Sequence, residues 1–226
     1  MSAGRKLIIA IDGPSGAGKS TLASRLARKF GYLNIETGAM YRALALKALE
    51  SDAALDDAAQ LERLAHESVI TLEPQLTGNR VMLDGRNVTE RIREQDVTDA
   101  ASRVSVHPGV RSWMVALQRK MGEAGGVVME GRDIGTAVFP NAEVKIFLDA
   151  APHIRGDRRF AQKEGGLKEK AEQVAAEMKE RDARDRGRAT SPLVPADDAV
   201  VIDSTELTLE EVVRKAEELV AAKLGQ

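Results

Sequence analysis

The sequence predicts an α/β protein in which a five-stranded, mostly parallel sheet is flanked by helices on both faces. Short apolar runs rich in β-branched residues alternate along the chain with stretches whose apolar residues recur at helical spacing. A glycine-rich loop separates the first such run from the first helical stretch. The alternation stops between about Asp52 and Asp99, which predicts a small α+β subdomain inserted in the core.

Five apolar runs are predicted to form the sheet, and six helical stretches are predicted to surround it. The strands are Leu7–Ile11, Tyr32–Ile35, Val127–Glu130, Val144–Leu148 and Ala199–Ile202. The helices are Lys19–Phe30, Gly38–Glu50, Pro108–Gly122, Pro152–Lys163, Leu167–Arg186 and Thr208–Lys223. The last helix begins with Thr208-Leu209-Glu210-Glu211, a capping-box pattern in which side chains satisfy backbone groups at the helix start.

The inserted segment combines helical and strand-like patterns. A charged helical stretch covers Asp52–Glu67. Three short strand-like runs follow, at Val69–Leu72, Arg80–Leu83 and Asn87–Val88. Thr77-Gly78-Asn79 and Asp84-Gly85 predict the turns between them, and Asp-Gly is a strong hairpin signal. The hairpins could form part of a working subdomain or decorate the surface.

The composition limits the classes of partner. The net charge of −2 implies no general attraction to nucleic acid or anionic lipid, and aromatic residues, at 3%, are too few for a base-stacking platform. The absence of cysteine excludes disulfides and thiolate chemistry. No signal peptide or membrane-spanning apolar run is present. We therefore expect a cytoplasmic protein with no nucleic-acid or membrane partner.

Residues 13–20 read Gly-Pro-Ser-Gly-Ala-Gly-Lys-Ser, a complete phosphate-binding loop, or P-loop. Its glycines let backbone N–H groups surround phosphate oxygens, and the following helix start adds unpaired donors. Lys19 can reach the β- and γ-phosphates, and Ser20 can offer its hydroxyl to Mg²⁺. The flanking strand and helix favour nucleotide binding over an ordinary glycine-rich turn. No asparagine is followed by lysine, which disfavours the guanine-reading loop of a GTPase.

Two polar clusters follow predicted strands, where open α/β sheets bind ligands. Thr37 and Arg42 come after the second strand, and the fork of Arg42 could bind a second phosphate. Glu130-Gly131-Arg132-Asp133 ends the third strand abruptly. Taken alone, the position of Arg42 favours a solvated helix residue, and the second cluster could equally be a turn with a local ion pair.

The stretch from Lys179 to Arg188 is rich in arginine. On a helix, Arg181, Arg184, Asp185 and Arg188 share one face, whereas Arg186 points to solvent. The excess of arginine over lysine favours phosphate binding over a salt-bridged surface helix, because the planar guanidinium donates two hydrogen bonds at once.

A second set of arginines repeats this spacing on the preceding helix: Arg155, Arg158 and Arg159. They precede Gly165-Gly166, whose glycines could hinge a mobile lid.

Together these motifs resemble those of the bacterial cytidylate kinases, a family of nucleoside monophosphate kinases. The matching segments are Ile11–Ser20, Thr37–Arg42, Gly131–Thr136, Lys145–Asp149, Lys179–Arg188 and Pro192–Ala196. The resemblance implies a P-loop kinase core at 1–38 and 100–226, a lid at about 152–166 and a monophosphate-binding domain at 39–99. It also implies transfer of the γ-phosphoryl group of MgATP to CMP or dCMP, giving ADP and the diphosphate. We expect a monomer.

The resemblance further implies a role for each matching residue. The donor nucleotide would contact Gly13, Pro14, Ser15, Gly16, Ala17, Gly18, Lys19, Ser20, Thr21 and Arg158. The acceptor would contact Thr37, Arg42, Ser102, Arg111, Arg132, Asp133, Arg181, Asp185 and Arg188. The catalytic cations would be Lys19, Arg132, Arg181 and Arg188. Ser20 would bind Mg²⁺, with Glu130 as a candidate to hold a metal-bound water. Glu36, Thr37 and Glu130 stand where the family often has Asp, Ser and Asp.

This reaction suits the residues present. The attacking phosphate oxygen is already anionic, so no general base is required, and positioning with Lys, Arg and Mg²⁺ supplies the catalysis. The carboxylate of Asp133 would accept from the cytosine N4 amine, where uracil carries a carbonyl oxygen, which favours CMP over UMP.

Three alternatives stay open. They are a P-loop kinase for UMP, AMP or a small metabolite, a non-catalytic nucleotide-binding module, and an RNA-binding protein that uses the arginine-rich helix. The second anion site disfavours the module, because a sensor needs only one nucleotide site. The net charge and the scarcity of aromatic residues disfavour RNA binding.

Overall fold

The computed structural model describes residues 6–75, 78–162 and 168–225, without the side chains of 162 and 168–174. The elements in chain order are β1 (Ile8–Asp12), α1 (Lys19–Phe30), β2 (Leu33–Glu36), α2 (Thr37–Glu50), α3 (Ala58–His66), β3 (Ile70–Pro74), β4 (Asn79–Leu83), β5 (Arg86–Asn87), α4 (Gln95–Val104), α5 (Pro108–Gly122), β6 (Val127–Gly131), β7 (Val144–Asp149), α6 (Pro152–Gln162), α7 (Lys168–Gly187), β8 (Val200–Asp203) and α8 (Leu209–Leu224). A π-helical turn, Ile134–Val138, follows β6.

The central sheet has five parallel strands in the order β2-β6-β1-β7-β8. This confirms the predicted α/β class and all five predicted strands, with ends that differ by a residue. Helices α1 and α8 cover one face through an aliphatic cluster that includes Leu22, Leu26 and Val220. The π-helical turn and side chains of α5 cover part of the other face. Both faces are therefore buried, which explains why the strands are almost continuously apolar.

The register of the sheet decides where polar side chains meet. Asp12 at the end of β1 lies opposite Gly131 of β6, and Glu36 of β2 lies opposite Glu130. Because parallel strands end at one edge of the sheet, the P-loop after β1 and the polar segments after β2 and β6 lie side by side. This edge holds the candidate site.

A three-stranded antiparallel sheet, β3-β4-β5, forms the predicted hairpins. Asp84 and Gly85 both have positive φ, at 49° and 78°, as a two-residue hairpin turn of type I′ requires. The other predicted turn includes Thr77, which lies outside the described residues. Asn79 ties this sheet to the edge of the core, since its Nδ2 donates to the carbonyl oxygen of Asn34 at 3.0 Å.

Helix α4 is the main element that sequence patterning missed. Its residues, QDVTDAASRV, are small or polar, and its buried apolar face consists only of valine and alanine: Val97, Ala100, Ala101 and Val104. It packs against α2 in the same hydrophobic cluster. The proposed domain limit at 99/100 falls inside this helix. The predicted charged helix at 52–67 is shorter than expected, since only α3 is helical and Asp57 caps it by accepting from the N–H of Gln60 at 2.9 Å.

The remaining predicted helices are present, with small changes at their ends. The capping box of α8 is confirmed, because Thr208 and Glu211 each accept from the other's backbone N–H. The predicted lid at 152–166 includes residues 163–166, and with them Gly165 and Gly166, which lie outside the described residues. None of the helices in the described part of the chain is long and apolar enough to cross a membrane.

Gly13 provides a test of how tightly the P-loop packs on the sheet. Its φ is +148°, and a Cβ atom there would lie 2.0 Å from the carbonyl oxygen of Leu148. We expect Gly13→Ala to lower the free energy of unfolding by about 3 kcal/mol or more, because backbone strain and a backbone clash add. The measurement is urea unfolding followed by circular dichroism.

The control is Gly31→Ala, at the end of α1, where φ is +66° and no atom lies within 4 Å of the added Cβ. Only the left-handed conformation is penalised there, so we expect a loss of about 1–2 kcal/mol. Equal losses in the two variants would show that Gly13 is needed for its conformation alone.

Candidate active site

The P-loop forms the floor of a cavity at the edge of the sheet. Gly16 and Gly18 have φ of 76° and 99°, values that glycine adopts without strain. Lys19 begins α1, is 6% exposed, and its Nζ donates to the carbonyl oxygen of Pro14 at 2.7 Å. This contact folds the lysine back over its own loop, toward the place where the loop would hold phosphates.

Five cations and two carboxylates face this cavity, which we call the phosphate cavity. The cations are Lys19, Arg42, Arg132, Arg159 and Arg181, and the carboxylates are Glu36 and Glu130. Burial and the nearby Arg132 lower the pKa of Lys19 to about 7, and burial with neighbouring arginines lowers the pKa of Arg181 to about 10. The cavity is therefore strongly positive and suits polyanions.

Glu130 is the buried acidic group of the phosphate cavity. Burial and the charge of Glu36 raise the pKa of Glu130 to about 7, while Lys19 and a hydrogen bond with Ser20 act in the opposite direction. Its Oε1 has no hydrogen-bond partner among the described residues. A buried oxygen without a partner is costly in an isolated protein, so the atom is suited to a ligand that donates a hydrogen bond or carries positive charge.

The donor atoms beside the P-loop fit Mg²⁺ rather than a metal held by protein alone. Ser20 offers a hydroxyl and Glu130 a carboxylate, both hard oxygen donors. No group of three or more His, Cys, Asp or Glu that could hold a metal occurs in the described part of the chain. Mg²⁺ usually takes one or two protein ligands and completes its shell with phosphate oxygens and water.

A second cavity, the nucleoside cavity, adjoins the first. Its polar lining includes Thr37, Tyr41, Ser105, Arg111, Arg132, Asp133, Arg181, Asp185 and Arg188. Because Arg132 and Arg181 line both cavities, a ligand in one would lie next to a ligand in the other. The two cavities can therefore hold the two ends of one nucleotide.

Asp133 is held at one wall of the nucleoside cavity by Arg111. The Nη2 atom of Arg111 donates to Oδ2 of Asp133, and its Nη1 donates to the carbonyl oxygen of Ser105 at 3.1 Å. Both side chains are less than a tenth exposed. This fixes the carboxylate and leaves its Oδ1 to accept from a ligand. The ring of Tyr41 lies 5.8 Å from the Arg111 guanidinium, within cation–π range.

Asp185 holds the arginines of the opposite wall. Its Oδ2 accepts from Nε of Arg132 at 2.9 Å, and its Oδ1 lies 3.2 Å from Nη2 of Arg188. Burial by itself would raise the pKa of Asp185, but Arg132, Arg188 and Arg181 keep it below its usual value. The carboxylate therefore stays ionised and orients the guanidinium groups.

Most acceptor residues inferred from the sequence line these two cavities, and three differ in detail. The hydroxyl of Thr37 donates to the carbonyl oxygen of Glu130 at 2.7 Å, so it is already engaged and can only accept from a ligand. Ser102, on α4, lines a neighbouring cleft between α4 and α7, and its buried Oγ has no hydrogen-bond partner among the described residues. Arg42 is paired with Glu36 at 2.6 Å.

A third cavity lies on the other side of the P-loop. It is lined mainly by apolar atoms from the P-loop, Leu148 and the start of α8, together with Arg158. The guanidinium of Arg158 donates to Oγ of Ser204 at 3.0 Å and to its carbonyl oxygen at 2.9 Å. This cavity touches Gly16, Gly18 and Thr21, and its apolar walls can accommodate a planar base.

The three arginines with shared helical spacing on α6 do not share a site. Arg158 lines the third cavity, Arg159 lines the phosphate cavity, and Arg155 is buried against the protein. The shared spacing therefore does not correspond to a shared environment. Helical spacing places residues on one side of a helix, but the neighbouring elements decide which of them reach a ligand.

The sequence analysis missed at least three contributors, one of which is Ser105 in the nucleoside cavity. Thr98 lines the phosphate cavity from α4, and a helix made of small residues gave no signal for it. Asp12 accepts from the N–H groups of Ile134 and Gly135 at 2.8 and 2.7 Å, so it holds the turn that carries Asp133. A carboxylate that ends an apolar strand directly before the P-loop was the available signal.

The match to a family model and the matches to curated relatives indicate the same family. The family model described as cytidylate kinase matches residues 9–222. A cytidylate kinase of Syntrophotalea carbinolica is 48% identical over 220 residues, which cover 97% of this chain and 94% of the relative. A cytidylate kinase of Solibacter usitatus is 51% identical over 211 residues, covering 92% and 89%. A solved shikimate kinase from Acinetobacter baumannii is 16% identical, with 96% of this chain and 94% of that chain covered and a TM-score of 0.45.

The pKa of Asp12 gives a prediction about stability. Burial raises this pKa from 3.8 to about 6, so between these pH values the folded protein binds a proton that the unfolded chain does not. The stabilisation from protonated Asp12 is therefore present below pH 4 and is lost as the pH rises to about 6. We expect the difference in unfolding free energy, wild type minus Asp12→Asn, to fall by up to about 3 kcal/mol across this range.

The measurement is urea unfolding of both proteins between pH 4 and pH 7. The control is Asp157→Asn, at an exposed position of α6, whose difference from wild type should not fall in this way. A difference for Asp12→Asn that is flat or rises with pH would contradict the assignment.

Proposed function

The chain belongs to the cytidylate kinase family, and on this premise we propose that it transfers the γ-phosphoryl group of ATP to CMP or dCMP, giving ADP and CDP or dCDP. One observation carries the proposal. Five cations, one of them in the P-loop, line the phosphate cavity, and two of these also line a second cavity that holds a fixed carboxylate. A phosphoryl-transfer enzyme needs this arrangement, because two polyanions must be brought together end to end.

The cations of the phosphate cavity act as positioning groups and as charge stabilisers. Lys19 lies on the donor side with the P-loop, and Arg42 lies on the acceptor side. Arg132 and Arg181 line both cavities, so they can contact the acceptor phosphate and the phosphoryl group that moves. Arg188 contacts the same ligand from the nucleoside cavity. None of these roles requires a general base, since the acceptor phosphate is already ionised.

Base recognition rests on Asp133 and Arg111. Because Arg111 fixes Oδ2 of Asp133, the free Oδ1 can accept from the cytosine N4 amine. Uracil would place a carbonyl oxygen against this carboxylate, which leaves two acceptors facing each other. Ser102 lines the neighbouring cleft rather than the nucleoside cavity, and we propose that its hydroxyl, which has no partner among the described residues, contacts the base from α4.

The sugar would lie near Asp185 and Arg181. Both line the nucleoside cavity, and Asp185 is already oriented by Arg132. A carboxylate can accept from a sugar hydroxyl, so this pair is where ribose and deoxyribose would be compared. We include both CMP and dCMP as acceptors.

Mg²⁺ is part of the proposal as a companion of ATP. Ser20 would bind the ion directly, and the unpartnered Oε1 of Glu130 would accept from a water molecule on it. When bound, the ion neutralises charge on the β- and γ-phosphates. The base of ATP would lie in the third cavity, beside Arg158.

We propose that the protein acts as a monomer. We propose that it acts in the cytoplasm, where ATP and nucleoside monophosphates are its substrates, and no nucleic-acid or membrane partner enters the mechanism. We also propose a division into a core and a monophosphate-binding domain, with its limits at the ends of α2 and α4 rather than at 38/39 and 99/100, which lie inside these helices.

The activity is tested with a coupled assay of ADP release. We expect rapid ADP release with ATP and CMP or dCMP, much less with UMP or AMP, and little without an acceptor. The assay needs Mg²⁺, so EDTA should abolish it. Preference for AMP or for a small metabolite would contradict the proposed acceptor, and ADP release that does not depend on an acceptor would indicate a different activity.

Asp133→Asn tests the recognition of the base. The variant replaces an acceptor oxygen with an amide that can donate, so we expect the CMP/UMP ratio of kcat/KM to fall by roughly 10- to 100-fold, which corresponds to about 1–3 kcal/mol of discrimination. Asp157→Asn, at an exposed position of α6, is the matched control. An unchanged ratio in Asp133→Asn would mean that another group reads the base.

A further inference from the structure

Arg155 has no place in the proposed mechanism, yet it is among the most enclosed arginines of the molecule. Its side chain is 6% exposed, and it lines neither the phosphate cavity nor the nucleoside cavity. A buried guanidinium is costly unless its donors are satisfied. Its partners therefore indicate what this residue contributes.

The guanidinium of Arg155 joins three separate parts of the site. Its Nε donates to the carbonyl oxygen of Ala150, just after β7, at 2.9 Å. Its Nη1 donates to the carbonyl oxygen of Ser15, in the P-loop, at 3.1 Å. The same Nη1 lies 2.6 Å from Oδ2 of Asp182, on α7. One planar group thus connects the sheet, the donor loop and the helix that carries the acceptor arginines.

The packing around Gly16 shows that this connection leaves little free space. A Cβ atom at Gly16 would lie 2.7 Å from the carbonyl oxygen of Arg155 and 2.9 Å from Cε of Met178. The P-loop is therefore in direct contact with both α6 and α7. Tightly packed parts move together rather than independently, so the position of α7 and the shape of the loop depend on each other.

We propose that Arg155 is a positioning residue that sets the separation between the P-loop and the substrate-binding side chains of α7. This inference rests on the proposed function. Asp182 directly follows Arg181 and lies three residues before Asp185, so a shift of Asp182 moves both. Arginine suits the role because its donors point in fixed directions and reach several acceptors at once, whereas lysine offers one compact charge.

The alignment of donor and acceptor is the property that this role predicts. Each substrate can still bind to its own half of the site when Arg155 is removed. The two halves would then be misplaced relative to each other, and a misplacement of about 1 Å can cost roughly 100-fold in rate. A loss of alignment therefore lowers kcat more than it weakens the binding of either substrate.

The test compares Arg155→Met with wild type in three measurements: kcat, the calorimetric affinity for CMP alone, and the affinity for an analogue that joins adenosine and cytidine through one phosphate chain. We expect kcat to fall by about 100-fold, affinity for CMP to change little, and the analogue to lose most of its advantage over CMP. We expect Arg155→Lys to give values of kcat and of affinity for the analogue between those of Arg155→Met and those of wild type.

Asp182→Asn is the second variant, and it decides the question if Arg155→Met does not fold. It keeps the size of the side chain and weakens the contact with Arg155. We therefore expect smaller losses of kcat and of affinity for the analogue than in Arg155→Met. Arg186→Met, on the same helix with a side chain that is 52% exposed, is the control and should resemble wild type.

Two results would overturn the positioning role. One is a wild-type kcat in Arg155→Met, or in Asp182→Asn where that variant decides; the other is a loss of affinity for CMP alone that equals the loss for the joined analogue. Both results are interpreted in this way only when the wild-type protein phosphorylates CMP. A wild-type protein that does not phosphorylate CMP would instead contradict the proposed function, so the two failures are distinguishable.

Discussion

Positive charge is crowded at one edge of the sheet, and the arrangement of the polar groups around it follows from this constraint. Five cationic side chains face the phosphate cavity, with only two carboxylates among its lining residues. Burial, together with repulsion from neighbouring arginines, lowers the pKa of Lys19 and of Arg181. Keeping these side chains charged therefore costs free energy in the isolated protein. Anionic substrates remove that cost, so the same feature that strains the free protein favours the bound one.

The fold holds the charges in place with carboxylates whose positions are fixed by the backbone. Asp185 orients Arg132 and lies close to Arg188, and Glu36 pairs with Arg42. Asp12 holds the turn after β6, so the segment from Arg132 to Asp133 is attached to the strand that leads into the P-loop. Each acidic group thus satisfies a donor and also sets the direction of a group that lines one of the two cavities.

The site is assembled from elements that are far apart in the sequence. The P-loop, the segment after β2 and the segment after β6 meet because parallel strands end at one edge, and α7 reaches the same edge from the C-terminal part of the chain. Helix α7 contacts the sheet and the P-loop through Arg155 as well as through its own packing. The donor side and the acceptor side therefore share structural support, which is consistent with a reaction that requires their alignment.

The features that depend on local order could be predicted from the amino-acid sequence alone. The P-loop, the five strands, the Asp-Gly turn and the capping box of α8 each follow from residues close together in the chain, because backbone conformation and side-chain periodicity are local properties. The matching motifs also contain most of the residues that line the phosphate cavity and the nucleoside cavity. Helix α4 escaped detection because its buried face is built from alanine and valine, which only packing against α2 makes informative.

The folded structure was needed to show which polar residues line the same cavity and which ones orient other groups through hydrogen bonds. Arg155, Arg158 and Arg159 have one spacing but three environments, since the P-loop, Ser204 and the phosphate cavity lie at different points around α6. The role of Asp12 depends on a turn more than a hundred residues away in the chain. Such contacts are set by the register of parallel strands and the packing of helices, and no local pattern in the sequence encodes them.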